Sequence, residues 1–332
     1  MHRTGTQFVY MMLEKHGVAG RPISQLNVRV QVRRIDILID LILENGNRYM
    51  IVIEDKVHAG DYNDLTGYLA AATQENGQVK VVCCLIGIFL RTGNQADFNA
   101  IEKQGFKIIT RGDLINFLHH EATGSPTNTI YQNYKKYLTA YHNSLNAFRS
   151  EPVEEWDWNA WTGFTIYLTE KSELPFDGYK YIPNKQGGFQ GCWQSNKARP
   201  SLKSYPVYIQ IEYGQHLASL HKPEGLLAFK VAPLPECCQS ELASKDRARE
   251  VFQKLNELAL MRGFPFPNPQ GKTVAQRNIG RKVCRPAAFQ NGEYVTAAIC
   301  PRKMWAPDGS SYQQVEAALA VMLQFLNEAL SE

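Results

Sequence analysis

The chain has 332 residues, 44% of them hydrophobic, with 36 Lys and Arg against 32 Asp and Glu, a net charge of +4. That length favours two domains over one, and so small a charge does not by itself announce a nucleic-acid binder. No run approaches the roughly 20 apolar residues of a membrane span, and the start, Met1-His2-Arg3-Thr4-Gly5, is no signal peptide. The seven cysteines form no Cys-x-x-Cys and an odd total, which argues against a disulfide framework and makes a reduced cytoplasm the expected setting.

In chain order, Gly5 to His16 reads as a helix, with Phe8, Met11 and Met12 at helical spacing and Gly17 as its stop. Val28 to Leu43 and Arg48 to Val57 read as two strands of a hairpin. Along the second, Met50, Val52, Glu54 and Lys56 share one face, and Tyr49, Ile51, Ile53 and Asp55 the other. Apolar residues on both faces make this a central, covered strand, so Glu54 and Lys56 emerge at its end, where active sites of open sheets lie. Ionised groups in such apolar runs are costly unless paired, and a divalent metal and a phosphate are natural partners. The competing reading is a structural ion-pair network.

The turn Glu44-Asn45-Gly46-Asn47 decides the register. A two- or four-residue loop pairs Asp36 with Asp55 and sends Glu54 to the opposite face. A three-residue loop pairs Asp36 with Glu54 or Lys56 and gathers all three on one face. Only an odd-length turn or a compensating bulge builds a site, and that is the expectation. Asp40 lies four residues along the strand from Asp36, ~13 Å by strand rise, too far for a shared ion.

Asp36, Glu54-x-Lys56 and the following Ala59-Gly60-Asp61-x-x-x-Leu65-x-x-Tyr68 resemble the PD-(D/E)XK nuclease superfamily, in particular prokaryotic nuclease-like proteins, over about residues 2 to 120. Asp64 stands where related sequences often carry Gln. The resemblance implies a restriction-endonuclease-like fold, a metal-dependent endonuclease activity and a DNA substrate rather than RNA. The residue types suit that chemistry: Asp36 and Glu54 would hold Mg²⁺, with Mn²⁺ as a substitute, since Mg²⁺ takes hard oxygen ligands and retains waters. Lys56 would position or activate the attacking water. Asp64 and Tyr68 are supporting candidates, with a solvated helix residue and a core aromatic as their bland readings. His58 reads as surface, and His119-His120 has no zinc partner spacing.

Asp61 to Thr73 is expected as a helix, Val79 to Ile86 and Phe106 to Thr110 as strands, and Asp113 to about His119 as a helix before a loop over 121–128. A long amphipathic helix, Ile130 to Phe148, carries Tyr131, Tyr134, Leu138, Tyr141 and Leu145 on one stripe. The second half begins with an aromatic helix containing Trp156, Trp158, Trp161 and Phe164. Strands follow near 178–183, 188–194, 205–213, 226–231, 283–289 and 293–300, with helices over 240–261 and 312–330.

The expected architecture is therefore α/β, a restriction-endonuclease-like mixed sheet flanked by helices in residues 1–128, a connecting helix over 129–150, and a C-terminal α+β domain over 151–332. That domain contains two stretches without an acid, 178–211 and 258–292. They make Lys180, Lys197, Lys203, Arg277 and Arg281 candidates for phosphate-backbone contact, against the reading that they are ordinary surface and the interleaved aromatics core. The expected partner is nucleic acid, with homodimerisation open and no membrane. The alternative is a non-catalytic nucleic-acid-binding or protein-interaction module on a nuclease-like scaffold.

Overall fold

A computed structural model describes residues 3–18, 20–33, 35–55, 65–75, 79–87, 95–120, 126–182, 188–202, 205–214, 224–231, 241–262 and 295–331. The chain divides into two compact units, Met1–His142 and Asn143–Glu332.

The first unit is built on a five-stranded sheet whose spatial order follows the sequence: β1 (Ile23–Val32), β2 (Ile35–Leu43), β3 (Arg48–Asp55), β4 (Lys80–Gly87) and β5 (Phe106–Thr110). β1, β2 and β3 pair antiparallel, whereas β3, β4 and β5 run parallel, so the sheet is mixed. Its helices are α1 (Arg3–Lys15), α2 (Leu65–Glu75), α3 (Gln95–Lys103), α4 (Arg111–His119) and α5 (Thr129–Asn146).

Strand alternation sorts the apolar side chains into two cores. Ile39, Leu41, Tyr49, Ile51, Ile53 and Cys84 pack with Met12 and Leu13 of α1, Leu114 and Leu118 of α4, and Leu138 of α5. Leu38, Met50, Val52, Leu85 and Ile108 pack on the other face with Leu65 and Ala72 of α2 and Ile101 of α3. The sheet is thus covered by helices on both sides, which is why β3 is apolar at nearly every position.

The register of β2 and β3 follows from one turn. Leu43 N donates to Asn47 O at 2.9 Å and Gly46 N to Leu43 O at 2.9 Å, closing a three-residue loop from Glu44 to Gly46. Gly46 takes φ +81°, the left-handed conformation that ends such loops, and Asn45 Oδ1 accepts from Asn47 N at 3.1 Å. The pairing then runs from Ile42 opposite Arg48 to Ile37 opposite Ile53.

Three expectations need correction. Val28 to Leu43 is not one strand: the chain reverses after Val32, and β1 returns against β2 with Val30 opposite Ile37 and Val32 opposite Ile35. The apolar alternation resumes after the reversal with only a one-residue change of phase at Arg33-Arg34, and Arg33 makes the turn at φ +49° where a Gly or Asn would have signalled it. α3 was not anticipated, because Ile101 is its one core residue among those described. Trp156 precedes the aromatic helix, which starts at Trp158 behind Asp157, whose side chain accepts from Ala160 N.

The second unit comprises α6 (Trp158–Glu170), β6 (Phe176–Ile182), β7 (Phe189–Gln194), β8 (Ser201–Leu202), β9 (Tyr205–Gly214), β10 (Glu224–Val231), α7 (Glu241–Arg262), β11 (Val295–Pro301), α8 (Arg302–Trp305) and α9 (Tyr312–Leu330). Its antiparallel sheet has the order β11-β10-β9-β7-β6, with β8 against β9. One core joins Ile209, Ile211, Leu227 and Phe229 of the sheet to Trp161 and Phe164 of α6, Val251 and Leu255 of α7, and Leu319 and Phe325 of α9. The strand expected over 283–289 lies outside the described residues.

Because the β2–β3 turn needs a positive φ, Gly46→Val should destabilise the protein by about 1 to 2 kcal/mol in urea unfolding. Gly20→Ala, at a position with open space around the added carbon, should stay within about 0.5 kcal/mol of wild type.

Candidate active site

The pairing of β2 with β3, carried one step beyond Ile37 and Ile53, sets Asp36 across from Glu54. Directly opposed residues on antiparallel strands have Cβ atoms ~4.5 to 5.5 Å apart, close enough for two carboxylates to share one cation. Glu54 is 3% exposed, and Leu85 of β4 stands beside it. Asp36 is half-buried and accepts a long hydrogen bond from Gln31 Nε2 at 3.5 Å. Gln31 itself adopts φ +54°. Ile35 joins the same core as Leu38, three residues on, so the pleat is irregular at the start of β2, beside Asp36. Local irregularities of this kind re-aim side chains at the rims of sheets.

Lys56, Asp64 and His58 lie outside the described residues, Lys56 one residue past the end of β3. Tyr68 is part-buried on α2 and packs against the core of Leu38, Met50 and Val52. Asp40 is engaged elsewhere, its Oδ2 accepting from Arg29 Nε and Nη2 at 3.0 Å each.

The donor set tests the fit of a metal. Asp36 and Glu54, the latter almost fully buried, would offer hard anionic oxygens, and a cation that keeps several waters needs no more from the protein. Among the described residues no group of three or more His, Cys, Asp or Glu is placed to hold an ion, so a site that demands three or four protein ligands is not provided there. His119 turns its Nε2 to Thr139 Oγ1 at 3.1 Å.

The same edge of the sheet carries groups that sequence reasoning passed over. β5 ends at Thr110, level with Gly87 of β4, and the next residue, Arg111, opens α4 with its guanidinium 5.4 Å from the centre of the Tyr141 ring. Thr110 and Asp113 close a capping box, and Lys15 Nζ donates to Asp113 Oδ2 at 2.8 Å. Those bonds hold the Asp113 carboxyl below its ordinary range although burial pushes the other way. Burial, and then repulsion from Arg111, lowers the pKa of His142. The available signal was the absence of any acid from 122 to 150, a stretch with four tyrosines and two lysines on α5.

An open cavity of about 630 Å³ lies toward the opposite end of the sheet, lined by His16, Arg21, Asn45, Tyr49 and Lys80 among others. Tyr49 is five residues from Glu54 along β3, ~17 Å by strand rise, so this cavity does not belong to the carboxylate pair.

In the second unit Lys180 and Lys197 are exposed, whereas Lys203, Arg277 and Arg281 lie outside the described residues. Tyr179 and Tyr208 are buried at 8% and 1%, so these two interleaved aromatics are interior groups and not a stacking platform. Arg199 lies 4.0 Å over the Tyr208 ring and donates to Gln194 O. Glu212, the first residue beyond the acid-free run, pairs with Lys230 at 2.7 Å and accepts from Gln210 at 2.9 Å. Cys83, Cys84, Cys192 and Cys300 are free and buried, with thiol pKa values raised by desolvation. No helix among the described residues is long and apolar enough to cross a membrane.

A mixed five-stranded sheet covered by helices, followed by a second antiparallel sheet, is consistent with the PD-(D/E)XK fold. Residues 20–156 match the family model of the PD-(D/E)XK nuclease superfamily. No curated protein and no solved structure gives a significant match.

A histidine whose folded pKa is depressed opposes folding when protonated: its penalty is absent above the unfolded value, near 6.5, and grows as pH falls from there toward the folded value. Wild type should therefore lose more stability than His142→Gln between pH 7.5 and pH 5.5, measured by urea unfolding. Equal losses would show that His142 does not carry this dependence.

Proposed function

We propose that the chain is a metal-dependent nuclease that hydrolyses phosphodiester bonds in DNA. The single observation that supports the reading is the β2–β3 register, which pairs Ile37 with Ile53 and, continued by one step, would set Asp36 opposite the buried Glu54 within the segment that matches the PD-(D/E)XK family model. Asp36 and Glu54 are assigned to hold Mg²⁺, or Mn²⁺ in its place, and when bound the ion supplies charge compensation on the phosphoryl oxygens and lowers the pKa of a bound water. The remaining work falls to the chain. Glu54, fixed on a strand packed on both faces, orients the ion from a rigid element. Asp36 closes the site from the neighbouring strand. Lys56, two residues after Glu54, is assigned to position the attacking water and to neutralise charge on the scissile phosphate. Tyr68, packed against the core cluster that contains Leu38 and Val52, is assigned to support the wall of the site, with Asp64 as its companion from the residues before α2.

In this reading the first unit cuts and the second binds nucleic acid or a protein partner. The exposed Lys180 and Lys197, with Lys203, Arg277 and Arg281, are the candidate contacts.

The test is cleavage of plasmid and single-stranded DNA with Mg²⁺, with Mn²⁺ and with a chelator. Wild type should cut only with metal, and Asp36→Ala, Glu54→Ala and Lys56→Ala should each lose a factor of about a hundred or more while unfolding cooperatively as wild type does. Metal-independent cutting, or full activity in the three variants, would overturn the assignment. DNA binding by a wild-type chain that never cuts would favour the non-catalytic module.

A further inference from the structure

The cavity of about 630 Å³ toward the opposite end of the sheet has no part in the carboxylate pair, and its walls are of two kinds. The floor is the margin of a packed core: Leu43, Tyr49 and Val82 line the cavity and belong to the cluster that Met12 and Leu13 of α1 complete. The rim carries Arg21, Lys80, Asn45 and Asn47, all exposed. Among the described residues no acid lines the cavity, and neither Arg21 nor Lys80 is paired with a carboxylate.

Three ties hold these walls in place. His16 Nε2 donates to Cys83 O at 2.8 Å, which fixes the end of α1 against β4. Glu44 N donates to Pro22 O at 2.9 Å, so Arg21, the residue before Pro22, is kept near the Glu44–Gly46 turn that bears Asn45. Lys80 opens β4 directly beside Tyr49 of β3, ~5 Å across. The last carbonyls of α1, which would otherwise give this end of the helix a negative character, are engaged: Leu13 O accepts from His16 N and Val18 N, and Glu14 O from Gly17 N. The recess is thus preformed, apolar below and cationic above.

A guanidinium and an ammonium on one rim suit a phosphate group, because the fork of Arg21 matches two phosphoryl oxygens and Lys80 adds a point charge. Inorganic phosphate alone would leave the apolar floor to water, whereas recesses of this size hold organic ligands with a few polar anchors. The side-chain amides of Asn45 and Asn47 offer the paired donor and acceptor that the edge of a base requires. We propose that this cavity binds a nucleoside monophosphate, its phosphate on Arg21 and Lys80 and its heterocycle over Leu43, Tyr49 and Val82. The site goes beyond the nuclease reading and does not rest on it.

The experiment is calorimetric titration of the full chain, in chelator, with AMP, GMP, CMP and UMP in turn, then with inorganic phosphate and with the parent nucleoside of the tightest binder. Wild type should bind at least one of the monophosphates saturably, and phosphate and the nucleoside roughly tenfold more weakly or worse. Arg21→Ala and Lys80→Ala should each weaken the monophosphate roughly tenfold. Lys103→Ala, which removes an equal charge from α3 outside the cavity, should bind as wild type. Arg21→Gln and Lys80→Gln serve where an alanine variant does not fold, and they should show the same loss. Wild-type affinity in the folded Arg21 and Lys80 variants would overturn the site. Inorganic phosphate or the nucleoside binding as tightly as the monophosphate would overturn the ligand class, and so would a wild-type chain that binds none of them. None of these outcomes involves cleavage, so each leaves the nuclease reading to its own test.

Discussion

A glutamate that is 3% exposed, directly after the apolar run Met50, Ile51, Val52 and Ile53 of β3, sets the terms for the rest of the first unit. Removing that group from water costs several kcal/mol unless cationic or hydrogen-bonding partners replace the hydration. The sheet cannot dispense with the burial, because both faces of β3 are needed to hold the two helical layers together. The expense of Glu54 is therefore borne by the scaffold, and the return is a ligand whose position is fixed by a packed strand instead of a loop.

The register of the hairpin follows from the same economy of parts. A three-residue turn closed on Gly46 keeps Leu38 with Val52 in one core and Ile39 with Ile51 in the other. A slip of one residue would turn both sets inside out and carry Glu54 away from Asp36. Folding and site assembly are thus the same event on β2 and β3: the hydrophobic pattern that selects the register also selects the pair of acids. On the far side of the parallel strands, Arg111 is placed by the end of β5 and not by any pattern of its own, with Tyr141 brought to it by α5.

Much of this was legible in the chain. Glu54-x-Lys56 within an apolar run, the Asn-Gly turn and the distant Asp36 are local features, and strand alternation is enough to read them together. The break between β1 and β2 was not, because Val28, Val30, Val32 and Ile35 continue a strand-like pattern through a reversal built on Arg33 at positive φ. α3 escaped because Ile101 is its one described core residue. Tyr179 and Tyr208, interleaved with lysines, could be read either as stacking groups or as core, and they are buried, since whether an aromatic on a strand faces core or solvent depends on sheet pairing that composition does not encode.

The most direct measurement is a crystal structure of the full chain grown with Mn²⁺, with the ion located by its anomalous scattering. The account predicts a peak bonded to carboxylate oxygens of both Asp36 and Glu54, at the ~2.0 to 2.2 Å typical of small divalent cations on oxygen, with remaining positions filled by water. Side chains of Asp36 and Glu54 turned to opposite faces of the sheet, or paired with cationic residues at an edge where no Mn²⁺ binds, would contradict it.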